Sequence, residues 1–234
     1  MIRAVRPPRK HLALLVVLVG MLLVQPLSGH RGVAVGAFFD AVVAGIAIYL
    51  PLIVFEERWE RHVAVILVSI VIASNAAIYV LPRGGRLISE AVFHSAMATF
   101  LSFAIAVILH GIFRKSMIRF DDVVGAFCGY LLLGLVWANL YTLIYLILPG
   151  AFAVNPQVAW RLGHWHQRRA LFEYLSFTTL MTLGYGDITP IGPPVYTLTW
   201  LEVMVGQFYM AVVVAQLVGL KLAQALTEKG QDRK

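Results

Sequence analysis

The sequence predicts an all-α membrane protein of six transmembrane helices, with a short re-entrant helix between the fifth and the sixth. Three observations carry that prediction. Hydrophobic residues fill 60% of 234 positions, charged residues fill 13%, and mean hydropathy is +0.80, outside the range of ordinary soluble domains. The apolar residues gather in runs near the length that crosses a hydrocarbon core as helix, about 17 to 25 residues. Between the last two runs, a mixed stretch at 149–194 holds an amphipathic segment at 170–181. That segment is too short to cross a bilayer and suits a re-entrant helix.

The runs fall at 12–24, 33–55, 63–81, 91–113, 123–148 and 195–225. The first follows a basic N-terminus and reads as a retained helix or a signal peptide; "QPLSGH" after it lacks a small-x-small cleavage pattern, which favours retention. Asp40 lies in the second run, Asn75 in the third, and His94 and His110 near the ends of the fourth. The fifth holds Gly125 and Gly129 as G-x-x-x-G, a weak cue for close helix packing. It also holds the single Cys128, expected as a buried packing residue, since no second cysteine exists to pair with it. Glu202 sits in the outer half of the sixth run. Ionisable groups in lipid mark function or bond a neighbouring helix; for Glu202 the reading is a brace behind the turn described next, or a plain interhelical contact.

Net charge is +7, and in a membrane protein basic residues collect in cytoplasmic loops. With the N-terminus inside, thirteen of the 19 Lys and Arg fall on cytoplasmic segments, while Arg31, Arg83, Arg86, Arg161, Arg168 and Arg169 fall outside. Both termini are therefore expected in the cytoplasm of a multi-pass cell-membrane protein. No Lys/Arg stripe with interleaved aromatics suggests nucleic acid.

The informative stretch is "TLMTLGYGDITP", 179–190. Irregular backbone at membrane depth survives only where protein buries it or where it lines a water-filled path. Gly184 and Gly186 free the chain for backbone angles that strain other residues, and successive carbonyls can then point one way. "TLGYG" differs from the potassium filter "TVGYG" only by Leu for Val.

Here the sequence resembles the potassium channel pore-loop family, in its bacterial form with two helices around a re-entrant segment. The resemblance covers about 123–225. "LFEYLSFTTLMTLGYGD" resembles the family's pore helix and filter, "VMVGQFYMAVVVAQLVGL" its inner helix, and Gly206 lies at the family's hinge spacing after Gly186. It implies that Thr182, Leu183, Gly184 and Tyr185 supply potassium-binding carbonyls, with the Thr182 hydroxyl innermost, and that Gly186 turns the chain outward. Asp187 would sit at the outer mouth and attract cations. Thr178, Thr179 and Glu202 would support the filter, Gly206 would act as gating hinge, and Gln207, Met210, Val214 and Val218 would line the cavity. Two departures from the family stand out. Met181 stands where many relatives have a second threonine, and Tyr174 and Leu175 stand where some carry paired tryptophans that brace the filter.

The implied organisation is a four-helix region at 1–122, a pore domain at 123–226 and a short cytoplasmic tail at 227–234. One filter per chain implies a homotetramer with four-fold symmetry, in contact with lipid and with K+ as permeant ligand; no cofactor is implied. A voltage sensor needs several Arg or Lys within one span. The fourth run, "LISEAVFHSAMATFLSFAIAVILHGIF", has neither, so no such sensor is expected. The expectation is passive potassium conduction, gated at the filter or near Gly206, with a less selective monovalent cation channel as the alternative. A secondary transporter would show paired broken helices, and an enzyme a motif such as G-x-S-x-G or H-E-x-x-H; neither is visible. His164 and His166 in "WRLGHWHQRR" are too few for a tetrahedral metal site, and "EERWERH" at 56–62 reads as a solvated loop.

Overall fold

Several of the described helices begin where a side chain settles unpaired backbone groups of the first turn, or where a proline has none to settle. The computed structural model describes residues 10–24, 45, 48, 55, 57–115 and 119–231. Among them the elements run α1 (Lys10–Val24), α2 (Arg58–Val80), α3 (Arg83–Phe113), α4 (Phe120–Ile147), β1 (Phe152–Val154), α5 (Pro156–Ala159), a 3-10 turn (Trp160–Gly163), α6 (Trp165–Leu180), β2 (Ile188–Pro190) and α7 (Pro193–Gln231). At the start of α2 the Glu57 N–H donates to the Glu60 carboxylate at 3.3 Å. At the start of α4 the Arg119 N–H donates to Asp122 at 2.9 Å. Pro193 opens α7, where a missing N–H costs nothing.

Four of these helices, α2, α3, α4 and α7, are long and apolar enough to cross a membrane, and α1 is a shorter apolar helix. The predicted run at 33–55, with Asp40, lies outside the described residues except at 45, 48 and 55. α4 is apolar all round, the pattern of a helix enclosed by others. It packs against α1, α3, α6 and α7, and 72% of its apolar window is buried against 11% for α7.

Two glycines and one carboxylate seat α1 and α7 on this axis. A Cβ on Gly125 would meet the His11 ring at 3.0 Å, and one on Gly129 would strike the Tyr209 hydroxyl. The G-x-x-x-G spacing thus does mark close packing, with a different neighbour for each glycine. Asp121 accepts the backbone N–H of His11 at 3.4 Å and of Leu12 at 3.2 Å. A negative charge from the start of α4 thereby sits at the positive end of α1.

Several sequence expectations change. The helix predicted at 170–181 begins earlier, at Trp165. Its added turn carries Arg168 and Arg169, which are buried (8% exposed each) and lie on this helix, where the sequence predicts loop cations. Arg168 pairs with Glu90 of α3, which also takes Arg86 at 3.2 Å. The Arg169 guanidinium lies over the Phe93 ring at 5.3 Å and the Trp165 ring at 5.7 Å. The "EERWERH" loop is largely helix, because Glu60 returns to cap the first turn of α2. α7 continues to Gln231, past the predicted end at 225 and into the stretch expected as a tail.

The all-α expectation also misses a two-stranded antiparallel ladder, in which Phe152, Ala153 and Val154 face Pro190, Thr189 and Ile188. Three residues per strand are too few to show the alternation that identifies a strand in sequence.

Removing one partner of a buried ion pair leaves an uncompensated charge. Glu90→Ala is therefore expected to destabilise the fold by about 3 kcal/mol. A Glu90→Met/Arg168→Met double variant should cost less than Glu90→Ala alone. Unfolding of the purified variants in detergent measures both.

Candidate functional site

α6 ends at Leu180, and the residues after it turn back on its last carbonyls. The Thr182 N–H donates to the Thr179 carbonyl at 2.9 Å, the Leu183 N–H to the Thr178 carbonyl at 2.7 Å, and the Gly184 N–H to that same carbonyl at 3.3 Å. A helix leaves its final carbonyls without intrahelical donors. Helix end and loop therefore satisfy one another, and the loop's own carbonyls are left free of α6.

The backbone angles work in the same direction. φ is +61° at Thr182, +54° at Gly184 and +78° at Gly186, while Leu183 and Tyr185 between them have no positive φ. Left-handed angles at every second residue rotate successive peptide planes, so that like groups can gather on one side. At Gly184 and Gly186 no atom lies within 4 Å of an added Cβ. Glycine is required there by the angle and not by space. Thr182 is β-branched and holds the left-handed angle at a cost of about 1 to 3 kcal/mol, a strain that persists only where surrounding structure enforces it and that clusters at functional sites. Leu183 and Tyr185 are 54% and 68% exposed, so the loop is open on the surface of the chain.

Tyr174 of α6 supports the far end of the loop. Its ring lies nearly parallel to that of Tyr185, with centroids 6.4 Å apart and planes 6° apart. Its hydroxyl hydrogen-bonds the Asp187 carboxylate, and burial together with that carboxylate pushes the phenol up to about 12. Tyr174 therefore remains a donor at any physiological pH. Where the sequence offers no tryptophan donor, the Tyr174 phenol reaches Asp187. The Asp187 carbonyl accepts the Asn155 N–H at 2.9 Å, and the Ile191 N–H donates to Ala151 at 2.7 Å. The β1–β2 ladder thus clamps the chain just beyond the loop.

The remaining sequence-predicted residues fall as follows. Thr178 and Thr179 hold the loop through their carbonyls, while the Thr178 hydroxyl turns back to Tyr174 at 2.9 Å and Leu175 at 3.0 Å. Glu202 is fully buried and reaches Ser176 and Tyr141 rather than the loop. α7 is unbroken through Gly206, where a Cβ would meet Leu180 Cδ1 at 2.6 Å. Gln207, Met210, Val214 and Val218 are all exposed. So is Phe208, at 63%, so the single chain does not mark out one strip of α7. His166 Nε2 lies 3.2 Å from the Tyr79 hydroxyl. Among the described residues no group of three His, Cys, Asp or Glu is placed to hold a metal ion.

Sequence reasoning missed Ser176, Gly134 and Asn155. The first two could have been suspected as a small polar residue and a glycine on facing apolar helices; Asn155 carries no such signal, because the ladder that uses it is visible only in three dimensions.

Residues 126–220 match the family model described as an ion channel. The match runs from the first turns of α4 into α7 and so contains the α6–loop unit. Comparisons with curated proteins and with solved structures found no match.

The Tyr174–Asp187 bond is tested by a double-mutant cycle. Tyr174→Phe and Asp187→Ala should couple by about 1.5 kcal/mol, the low end for a bond to a charged group. Additive unfolding free energies would discard the contact.

Proposed function

We propose that this chain is the subunit of a potassium-selective channel that conducts passively as a homotetramer in the cell membrane, with both termini cytoplasmic. The match over 126–220 supports a pore-loop ion channel. The observation that carries the finer reading is the backbone of 182–186, left-handed at alternate residues with its N–H groups of 182–184 turned to α6. In that arrangement the carbonyls of Thr182, Leu183, Gly184 and Tyr185 form a polar edge without side-chain charge. Four such edges around an axis replace the hydration shell of a monovalent cation, and several adjacent sites keep binding weak enough for the ion to leave. Gly186 then carries the chain outward to Asp187, whose carboxylate raises the local cation concentration.

Two features of the protomer support assembly. The loop is open to solvent, and only 11% of the apolar window of α7 is buried within the chain. A closed four-fold ring gives both a partner. Gln207, Met210, Val214 and Val218 would then face the central cavity, and Gly206 would allow α7 to bend against Leu180.

Reconstituted protein under opposed potassium and sodium gradients should reverse near the potassium equilibrium potential. A reversal that ignores the potassium gradient would favour the less selective cation channel. Gly184→Ala forces a Cβ onto a left-handed residue at about 1 to 2 kcal/mol per subunit and should abolish selectivity or current; unchanged currents would remove the filter assignment.

A further inference from the structure

Glu202 of α7 is wholly enclosed between α4 and α6 (0% exposed). Its Oε2 accepts the Tyr141 hydroxyl. Its Oε1 lies 2.6 Å from the Ser176 hydroxyl, which itself lies 2.7 Å from the Gly134 carbonyl. The two Ser176 contacts are of hydrogen-bond length, and each of the three oxygen–oxygen contacts requires a proton.

The protons can be counted. Tyr141 and Ser176 each own one, and a backbone carbonyl owns none. If Ser176 donates to Gly134, nothing remains for its contact with Glu202 unless the carboxyl supplies it. If Ser176 donates to Glu202 instead, its oxygen meets the Gly134 carbonyl with no proton between them. We infer that Glu202 is a neutral carboxylic acid that donates to Ser176, so that Ser176 donates to Gly134 and Tyr141 donates to Glu202. It is a positioning residue, joining α7, α6 and α4 behind the loop.

The surroundings agree with a neutral group. Glu202 has no ion pair among the described residues. The titratable groups facing it are Tyr141 and Tyr130 on α4; α6 presents only the Ser176 hydroxyl, and on its own helix Thr199 bonds Tyr141. A carboxylate there would be a buried charge with two hydroxyl donors and no counter-ion. Gly134 makes the chain of bonds possible, because a Cβ at that position would meet the Phe177 ring at 2.6 Å and push α6 away from the carbonyl that Ser176 reaches.

The consequence passes along α6. Ser176 lies on the last turns of the helix whose Thr178 and Thr179 carbonyls hold the N–H groups of 182–184. Loss of the Glu202 proton would turn the Ser176 proton back toward the carboxylate and release Gly134. α6 would then lose this one of its bonds to α4, and the loop would lose a fixed support. Flux should fall as the bath is made alkaline.

The test has two arms, both on the purified full chain in lipid vesicles. Infrared difference spectra at neutral pH between wild type and Glu202→Gln should show a carboxylic-acid C=O stretch present only in wild type; loss of a carboxylate band instead would overturn the inference. This arm needs no conduction. The second arm rests on reading 182–186 as the permeation path and measures potassium flux against pH. Glu202→Gln, whose amide donates to Ser176 and accepts from Tyr141, should keep neutral-pH flux within about twofold and show no alkaline loss. Glu202→Ala, which leaves these partners unsatisfied, should lower flux about tenfold at every pH. A Gln variant that titrates like wild type, or that behaves like Ala, would overturn the inference. Absent flux in wild type with the infrared band present would instead remove the conduction reading and leave the protonated carboxyl standing.

Discussion

The bonds from the N–H groups of residues 182–184 to the Thr178 and Thr179 carbonyls are the constraint on which the rest of this structure depends. A helix end and an irregular loop each bring backbone groups that must be paired or solvated. Here one set completes the other, and the loop's carbonyls are left as a free polar edge. Everything nearby serves to keep α6 where its last carbonyls meet that loop.

α6 is held from three sides by different physics. At its start, the buried pair of Arg168 with Glu90 ties it to α3, with Arg169 stacked over Phe93 and Trp165. In its second half, Ser176 reaches the Gly134 carbonyl and the Glu202 carboxyl in an otherwise apolar layer of Leu133, Trp137, Phe172 and Leu175. There too Tyr174 bonds Asp187 beyond the loop, and at the last residue Tyr130 donates to the Leu180 carbonyl at 3.3 Å. Because the ion pair joins α6 to α3, the helices before the matched stretch are mechanically continuous with the loop. α3 has no Arg or Lys from Leu87 to Phe113, and it meets α6 through packing and through this pair.

Glu202 shows how such a layer tolerates a carboxyl. Burial beside two hydroxyls and a carbonyl is unfavourable for a charge and well matched to a neutral acid, which can both donate and accept. The same residue in the sequence reads equally as a brace or as a simple contact. The structure adds its partners, the hydroxyls of Tyr141 and Ser176.

Composition and pattern alone determined that this chain crosses a membrane several times as helix, because apolar runs of spanning length admit no other backbone arrangement in lipid. The helices α1, α2, α3, α4 and α7 begin or end within a few residues of the predicted runs, except where α3 starts at Arg83 and α7 extends to Gln231. The glycines of "TLGYGD" were legible for a local reason, since a left-handed φ is a property of one residue and its neighbours. What tertiary structure decided is everything that joins distant positions. Arg168 and Arg169 read as loop cations until α3 brought Glu90 and Phe93 to them, and Tyr174 read as a missing tryptophan until Asp187 lay within reach of its hydroxyl. The β1–β2 ladder and the α1 cap on Asp121 have no sequence signal at all, because each is a bond between segments whose proximity only the packed helices create.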